Sequence, residues 1–473
     1  MGAIKDNNRR WLALAILCIG YLMIVLDTTI VTVALPSIRI DLGFSETSLV
    51  WVVNAYMLTF SGFLLLGGRL GDLLGRRRMF MFGIILFTLS SLGCGLAHTK
   101  LFLIIARAVQ GFGGAIVAAV ALSLIINLFT EPDMRAKAMG YFGFIAAGGG
   151  AIGVFLGGLL TGAFNWHWIF LVNLPIGIAA FLLSLFLLPA DTATSAQKLD
   201  VGGAITVTVS LILAVYAIIG GNTIGWLSAQ TLGLFLGALI LFSIFLYIES
   251  RVSDPLVPLG IFKKRNVSGS SIVGILWSAG MFAWFFLSAL YLQLVLGYTP
   301  LQIGLSFLPA NLIMAAFSLG LSAKIVIRFG TKTPIAVGML LVSMGLASFI
   351  FLPIAGNYIA HVLPGMVLLG IGAGLALNPI LLSGMGEVSP EESGLASGVL
   401  NTSFMMGGAL GLAVLASVAG ARTQSLITSG VDQRLALLGG YHIAFIVGSV
   451  FALAAALLAL YLRPVSVSNT HSI

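Results

Sequence analysis

Charged residues are scarce in this chain. Only 8% of its 473 residues are Asp, Glu, Lys or Arg, whereas 59% are hydrophobic, and the mean hydropathy is +1.12. This balance excludes an ordinary soluble globular protein, in which about 25% of the residues are charged. A membrane-spanning helix needs about 20 mostly apolar residues. The chain has fourteen candidate spans, centred near residues 24, 58, 88, 114, 149, 178, 211, 239, 282, 313, 344, 371, 407 and 452. Only short polar connections separate them, so we predict an all-α membrane protein without a soluble domain.

Cysteine is almost absent, and the chain also lacks a nucleotide-binding loop. Cys18 and Cys94 both lie in apolar runs and give neither a disulfide framework nor metal-ligand spacing. No Gly-x-x-x-x-Gly-Lys-Ser/Thr phosphate loop occurs, so ATP-driven transport is unsupported. The spans also offer no paired carboxylates and no nucleophile constellation. We therefore predict no metal, no cofactor and no enzymatic activity.

Positive charge is concentrated on one side of the predicted spans, although a net charge of +8 alone would also suit a nucleic-acid partner. If the N-terminus lies in the cytoplasm, 18 of the 23 Lys and Arg residues fall on the cytoplasmic side and four fall on the outer side. The remaining one, Arg107, lies within a span. This is the bias that orients membrane proteins. We predict cytoplasmic termini, contacts between basic loops and membrane lipids, and no nucleic-acid partner. Glu46, just outside the second span, is predicted to be a solvated charge.

The densest charged stretch, residues 68–78, separates two apolar runs. It reads Gly-Arg-Leu-Gly-Asp-Leu-Leu-Gly-Arg-Arg-Arg. We predict a short cytoplasmic loop, because a basic connection between two spans stays inside. Gly68 and Gly75 allow helix ends to approach closely. Asp72 can cap a neighbouring helix end, and Arg76 can pair with acidic groups or phospholipid headgroups. The alternative is a merely basic loop that fixes topology.

Two charged side chains lie inside apolar runs. Asp27 lies deep in the first span, where a charged residue costs about 2.5–3.5 kcal/mol on insertion scales. Because burial favours the neutral form of an acid, such a residue can take up and release a proton near neutral pH. A structural Asp held by a partner arginine is the alternative, and the two roles are compatible. Arg107, in the fourth span, is the best counter-charge for Asp27, unless it only stiffens the helix bundle.

Several of these patterns resemble signatures of the major facilitator superfamily, in particular its fourteen-helix drug:proton antiporters. The resemblance is carried by residues 68–78, 26–36, 165–170 and 173–177, by Leu103-x-x-x-Arg107-x-x-Gln110-Gly111-x-Gly113-Gly114, and by Gly149-x-x-x-Gly153-Val154-x-x-Gly157-Gly158. Val154 replaces the usual proline of the last signature, which removes an expected kink but keeps the glycines. The resemblance implies a conformational latch at Gly68, Asp72, Gly75 and Arg76, proton coupling by Asp27 and Arg107, and helix packing by Gly149, Gly153, Gly157 and Gly158.

The same resemblance implies an architecture. Residues 1–190 and 251–473 would each form a six-helix bundle, and residues 191–250 would add two inserted spans, giving 14 transmembrane helices with cytoplasmic termini. The inserted spans, near residues 201–221 and 229–249, carry almost no charge, and we expect them to be peripheral. The second bundle repeats the first only weakly, and residues 323–332 resemble a degraded copy of the latch.

The function implied is export of amphiphilic drugs or toxic compounds in exchange for protons, by alternating access to a central cavity. Polar and aromatic side chains within spans make adaptable contacts with such substrates. The candidate cavity residues are Asn54, Gln110, Trp284, Tyr291, Gln293, Asn311, Asn378, Asn401 and Phe404. A dedicated exporter of one metabolite, such as an antibiotic, siderophore or lipid, is an alternative, and a membrane sensor without transport is a weaker one. The short loops predict a multi-pass protein of the bacterial inner (cytoplasmic) membrane, with a monomer favoured.

Overall fold

Every regular element in the described part of the chain is helical. The computed structural model describes residues 7–129, 131–189, 199–317, 321–388 and 393–463. The first helices are α1 (Asn7–Leu42), α2 (Glu46–Leu74), α3 (Arg76–Gly95), α4 (Lys100–Leu128), α5 (Pro132–Ala163), α6 (Trp168–Leu171), α7 (Asn173–Leu187), α8 (Val201–Ile224) and α9 (Ala229–Arg251). The remainder are α10 (Arg265–Leu290), α11 (Pro300–Ala316), α12 (Ser322–Phe329), α13 (Lys332–Ser348), α14 (Leu363–Met385), α15 (Ser393–Thr428) and α16 (Gln433–Ala459). The prediction of an all-α membrane protein is confirmed.

Within these residues, 12 helices are long and apolar enough to cross a membrane. The sequence predicted fourteen such spans. The two that fall short are the apolar segments Gly148–Ala163 and Pro300–Ala316, which match the spans expected near residues 149 and 313. The first is the apolar part of the 32-residue helix α5. The second ends shortly before residues 318–320, which lie outside the described residues.

The helices before and after the α8–α9 pair pack in the same pattern. In the first group, which runs from α1 to α7, helix α4 packs on α2 and α3, α5 packs on α1, and α7 packs on α1 and α3. In the second group, which runs from α10 to α16, helix α14 packs on α11 and α13, α15 packs on α10, and α16 packs on α10 and α13. The second group therefore repeats the helix order and the neighbour relations of the first.

The most extensive contacts between the two groups are along two helix pairs. Helix α2 lies against α15, and α5 lies against α11. On the first seam, Asn54 Nδ2 on α2 donates a hydrogen bond to the carbonyl of Ala409 on α15, at 2.9 Å. On the second seam, a Cβ added to Gly158 would lie 2.7 Å from the carbonyl oxygen of Pro300, so the absence of a side chain permits this approach.

The two inserted helices differ in how far they pack against the rest of the described structure. Helix α8 packs against α9 and also against α2 and α15, at the seam between the two groups. Asn222 Nδ2 on α8 donates to the carbonyl of Ser417 on α15 at 2.6 Å. In the most apolar window of α9 only 17% of the residues are buried, compared with 67% in α2. Helix α9 therefore leaves most of its surface free for lipid, whereas α8 is part of the packed structure.

Candidate functional site

Asp27 is the centre of a buried polar cluster in the first helix group. Its side chain is 0% exposed. Arg107 Nη1 donates to its Oδ2 at 2.5 Å, Gln110 Nε2 donates to its Oδ1 at 2.8 Å, and Asn173 Nδ2 donates to the same oxygen at 3.2 Å. These partners come from α4 and α7. A carboxylate in an apolar interior needs such partners, because an unpaired charge there is very costly.

Arg107 has partners besides Asp27. Its Nη1 also donates to Gln110 Oε1 at 2.7 Å, and its Nε donates to the backbone carbonyl of Val52 on α2 at 2.9 Å. The guanidinium lies 4.4 Å from the ring centroid of Tyr56, an arrangement that stabilises a desolvated cation. The buried arginine therefore keeps three contacts if Asp27 loses its charge.

A second layer of polar groups fixes the amides that hold Asp27. Gln110 Nε2 donates to Ser91 Oγ at 2.7 Å, and Asn173 Nδ2 reaches the same oxygen at 3.4 Å. Ser91 on α3 is fully buried. The cluster therefore joins side chains of α1, α3, α4 and α7, and α2 contributes the Val52 carbonyl and the Tyr56 ring. Sequence reasoning identified Asp27 and Arg107, placed Gln110 in the substrate cavity, and did not assign a role to Ser91 or Asn173.

Three glycines bring α5 against the segment of α1 that carries Asp27. A Cβ added to Gly149 would lie 2.9 Å from Val25 Cγ1, and one added to Gly153 would lie 2.0 Å from Thr29 Oγ1. A Cβ added to Gly157 would lie 2.6 Å from the carbonyl oxygen of Ile30. Gly158, by contrast, faces α11 of the second group. The glycines of the predicted packing signature thus serve two interfaces, one within the first group and one between groups.

Residues 68–78 form two helix ends and not the predicted loop. Helix α2 continues to Leu74 and α3 begins at Arg76, so only Gly75 is non-helical, with φ +101°. The Asp72–Arg76 ion pair, at 2.7 Å, bridges the end of α2 and the start of α3 across this residue. The positive φ at Gly75 is strained for any residue with a side chain.

The close approach predicted at Gly68 occurs at its neighbours instead. An added Cβ at Gly68 would meet nothing nearer than 3.8 Å. At Gly67 it would lie 3.1 Å from Ile116 Cα on α4, and at Gly71 it would lie 2.9 Å from Val120 Cγ2. The expectation of a close approach was therefore wrong for Gly68, because this glycine lies on a looser part of the helix surface.

The remaining cavity candidates differ in burial and in their hydrogen-bond partners. Tyr291 is fully buried and donates through Oη to the Pro353 carbonyl at 2.8 Å. Asn401 is exposed and donates to the Ser397 carbonyl at 2.9 Å within its own helix. Asn311 is buried and donates to the Phe307 carbonyl at 3.0 Å. Asn378 is half-buried. These four amide and hydroxyl groups each have a partner within the protein.

Other candidates have unused polar atoms. Within the described residues, Asn54 Oδ1, Trp284 Nε1 and Gln293 Oε1 are buried without a hydrogen-bond partner. Trp284 also packs edge-on against Phe307, with ring centroids 5.5 Å apart. Phe404 packs in the same way against Trp277, at 5.7 Å. These three atoms remain available for a hydrogen bond, and the assignment of these residues to a substrate cavity stays a prediction.

The helical fold, the repeated packing and the buried ion pair are those of a secondary transporter. The family model described as Major Facilitator Superfamily matches residues 17–412. The chain belongs to this superfamily, as the resemblance of its motifs predicted, and it is a multi-pass membrane transporter and not an enzyme.

Its relatives include named resistance and export proteins. The chain is 39% identical to the puromycin resistance protein of Streptomyces alboniger, over 93% of this chain and 89% of the relative. It is 37% identical to the cephamycin export protein of Amycolatopsis lactamdurans, over 97% and 93%. It is 36% identical to the multidrug resistance protein Stp of Mycobacterium tuberculosis, over 87% and 76%.

Solved structures resemble the chain in fold. A peptide transporter of the POT family matches with a TM-score of 0.69 and 14% identity, over 98% of this chain and 99% of that one. At this identity the likeness concerns the fold alone. It covers nearly the whole chain, so the fold assignment applies to both helix groups.

Proposed function

We propose that the chain exports amphiphilic small molecules in exchange for protons, and that Asp27 carries the proton. The relatives named for drug and antibiotic resistance or export support the substrate class. The observation that carries the proton assignment is the fully buried carboxylate of Asp27 in its ion pair with Arg107. An ionisable pair inside a membrane span is a functional site by default, because its insertion is costly.

The contacts of Arg107 support reversible protonation of Asp27. When Asp27 takes up a proton, the ion pair is lost, but Arg107 keeps Gln110 Oε1, the Val52 carbonyl and the Tyr56 ring. Neither charge state of Asp27 therefore leaves a buried cation without partners. This lowers the cost that usually follows when one member of a buried pair is neutralised.

The packing of α5 offers a route from proton binding to movement. Asp27 lies between Leu26 and Thr29 on α1, and both of these residues meet Gly153 on α5. A change in the position of α1 on protonation is thereby transmitted to α5, whose Gly158 contacts the second group. Alternating access requires that substrate and proton favour different arrangements of the two groups.

We further propose the topology and the latch that the sequence implied. The chain would cross the membrane fourteen times with both termini in the cytoplasm of a bacterium, as bundles 1–190 and 251–473 with an inserted pair in 191–250, and would act as a monomer. Most of the linker after residue 189 lies outside the described residues. The Asp72–Arg76 pair and the Gly75 turn, at the cytoplasmic end, would stabilise one of the two states.

A dedicated exporter of one metabolite is the second candidate. The relatives support it as well, because two of them are named for a single antibiotic and one is named for multidrug resistance. With Asp27 as the one central acid among the described spans, the chain suits a monovalent cation or a neutral amphiphile better than a dication.

A transport panel separates the two candidates. Everted membrane vesicles energised with a proton gradient would be given lipophilic cations, neutral amphiphiles and several antibiotics. Accumulation of compounds from several classes supports multidrug export, and accumulation of one class supports a dedicated exporter. The Asp27→Asn variant is the control for coupling, because it should fail with every compound that the natural protein accumulates. No accumulation of any compound would contradict export.

A further inference from the structure

Glu46 is largely shielded from solvent where the sequence predicted a solvated charge. It is the first residue of α2, at the end of that helix opposite Gly75, and its side chain is 12% exposed. Arg39 Nη1 on α1 lies 3.4 Å from Glu46 Oε1. Tyr441 Oη on α16 donates to the same oxygen at 3.3 Å, and Tyr441 is 0% exposed. The prediction was wrong because α16, more than 390 residues away in sequence, covers this carboxylate.

The Glu46–Tyr441 hydrogen bond joins the two helix groups. Glu46 belongs to the first group and Tyr441 to the second. The adjacent Thr47 lies against α15, since its Cγ2 is 2.7 Å from the place where a Cβ of Gly420 would be. The ends of α2, α15 and α16 are thus closed together here. In the proposed orientation this is the outer end, and any opening to the outside must break the hydrogen bond.

The charge of Glu46 sets the strength of this closure. A hydrogen bond to a carboxylate is about twice as strong as one between neutral groups. Burial disfavours the ionised form of Glu46, whereas the nearby Arg39 and the hydrogen bond from Tyr441 favour it. Arg39 on α1 and Tyr441 on α16 are the groups that face Glu46, and α15 contributes Gly420 beside it. Nearby Asp41 instead accepts a hydrogen bond from Trp166 Nε1 at 2.9 Å.

We propose that Glu46 is a second proton-responsive group, which holds the outer ends of the two helix groups together while ionised and releases them when protonated from outside. It is a positioning residue, because it acts on the access of protons to Asp27 and not on the substrate. The inference rests on the proposed function and orientation. External acid would then both open the outer side and supply the proton for Asp27, which links opening to the direction of the proton gradient.

The test is a distance measurement that needs no substrate. Spin labels would be placed at Leu96→Cys in the first group and Ser429→Cys in the second, two exposed positions at this end of the protein. The native Cys18 and Cys94 are buried and should remain unlabelled. Distances would be recorded by pulsed electron paramagnetic resonance in lipid nanodiscs, at neutral and at mildly acidic pH. The Asp27→Asn background removes the response of the central acid.

We expect acid to raise the long-distance population several-fold in the Asp27→Asn background. Adding Glu46→Gln should give the long-distance population at both pH values, and Tyr441→Phe should also abolish the pH response by removing the bond between groups. The conservative Glu46→Asp should keep a response, which controls for damage to the fold. An unchanged pH response after Glu46→Gln, or no response in the Asp27→Asn background, would overturn the proposal.

This outcome is independent of whether the protein exports drugs. Loss of proton flux in Asp27→Asn together with distances that ignore Glu46 would leave the proposed function standing and remove the gate. If the distances depend on Glu46 but the protein shows no substrate-dependent proton flux, the gate stands and the proposed function is contradicted.

Discussion

The oxygens of Asp27 are held by neutral amides as well as by a cation. Gln110 and Asn173 both donate to Oδ1, while Arg107 donates to Oδ2. Donors to a carboxylate favour its ionised form. Of the two amides, Gln110 makes the shorter contact with Oδ1.

Replacing Gln110 by leucine should weaken transport. The Gln110→Leu variant removes one donor to Asp27 and the donor to Ser91 Oγ, and a hydrogen bond to a charged group is worth about 1.5–3 kcal/mol. We predict that the initial transport rate in vesicles falls about tenfold or more. Asn127→Leu, which replaces an exposed amide on the same helix, is the matched control and should keep the rate of the natural protein. An unchanged rate for Gln110→Leu would contradict this role.

Sequence reasoning finds the charged members of this cluster but not the neutral ones. Asp27 and Arg107 stand out because charges are rare in apolar runs. Ser91 and Asn173 do not, since neutral polar residues are common in spans, and they lie 82 positions apart in sequence. Gln110 drew attention through its motif, but its role depends on the folded position of Ser91 and Asp27.

At the scale of helices, the fit of α5 against α1 depends on glycine at particular positions. A Cβ added to Gly153 would lie 2.0 Å from Thr29 Oγ1. A Cβ added to Gly150, which is also on α5, would lie 3.7 Å from its nearest neighbouring atom. The sequence pattern alone treats these glycines as equivalent. The direction in which each one faces distinguishes them.

Alanine at Gly153 should therefore be far more damaging than alanine at Gly150. Gly153→Ala forces Thr29 or the whole of α1 to move, and overpacking of this kind costs about 1–3 kcal/mol. We predict a lower unfolding temperature in detergent and reduced transport for Gly153→Ala. Gly150→Ala is the matched control and should resemble the natural protein in both assays. Equal effects of the two substitutions would show that α5 does not depend on this contact.

The charged run at residues 68–78 led to a wrong prediction of secondary structure. Its polar composition suggested a loop, yet α2 runs to Leu74 and α3 begins at Arg76, so only Gly75 is non-helical. Composition predicts where a chain leaves the membrane more reliably than where a helix ends, because a helix can project beyond the apolar layer.

For the whole molecule, hydropathy and charge predicted most of the architecture. The count of apolar runs and the scarcity of charge indicated a helical membrane protein, and the fold has this form. The repeat of the first helix group in the second is only weakly visible in the sequence. The packing of the helices shows it clearly, because packing is retained after sequences have diverged. The place of α8 at the seam between α2 and α15 had no sequence signal, because its apolar residues would suit lipid equally well.

The proposed topology predicts the exposure of two engineered cysteines. Leu227 lies in the turn between α8 and α9 and is 87% exposed, and Ser253 follows α9. If the inserted pair crosses the membrane twice, Leu227→Cys should react with a membrane-impermeant maleimide added to intact cells. Ser253→Cys should react only after the cells are opened, and the natural protein, with two buried cysteines, is the control. Labelling of both positions from the same side would contradict fourteen spans.

The most direct measurement of the central claim is substrate-dependent proton flux through the purified protein. Liposomes containing a pH-sensitive dye and an inward-directed proton gradient would receive lipophilic cations and neutral amphiphiles in turn. We predict that a substrate accelerates proton entry with the natural protein and not with Asp27→Asn. Proton entry that is equally substrate-dependent in both proteins would contradict the assignment of the proton to Asp27.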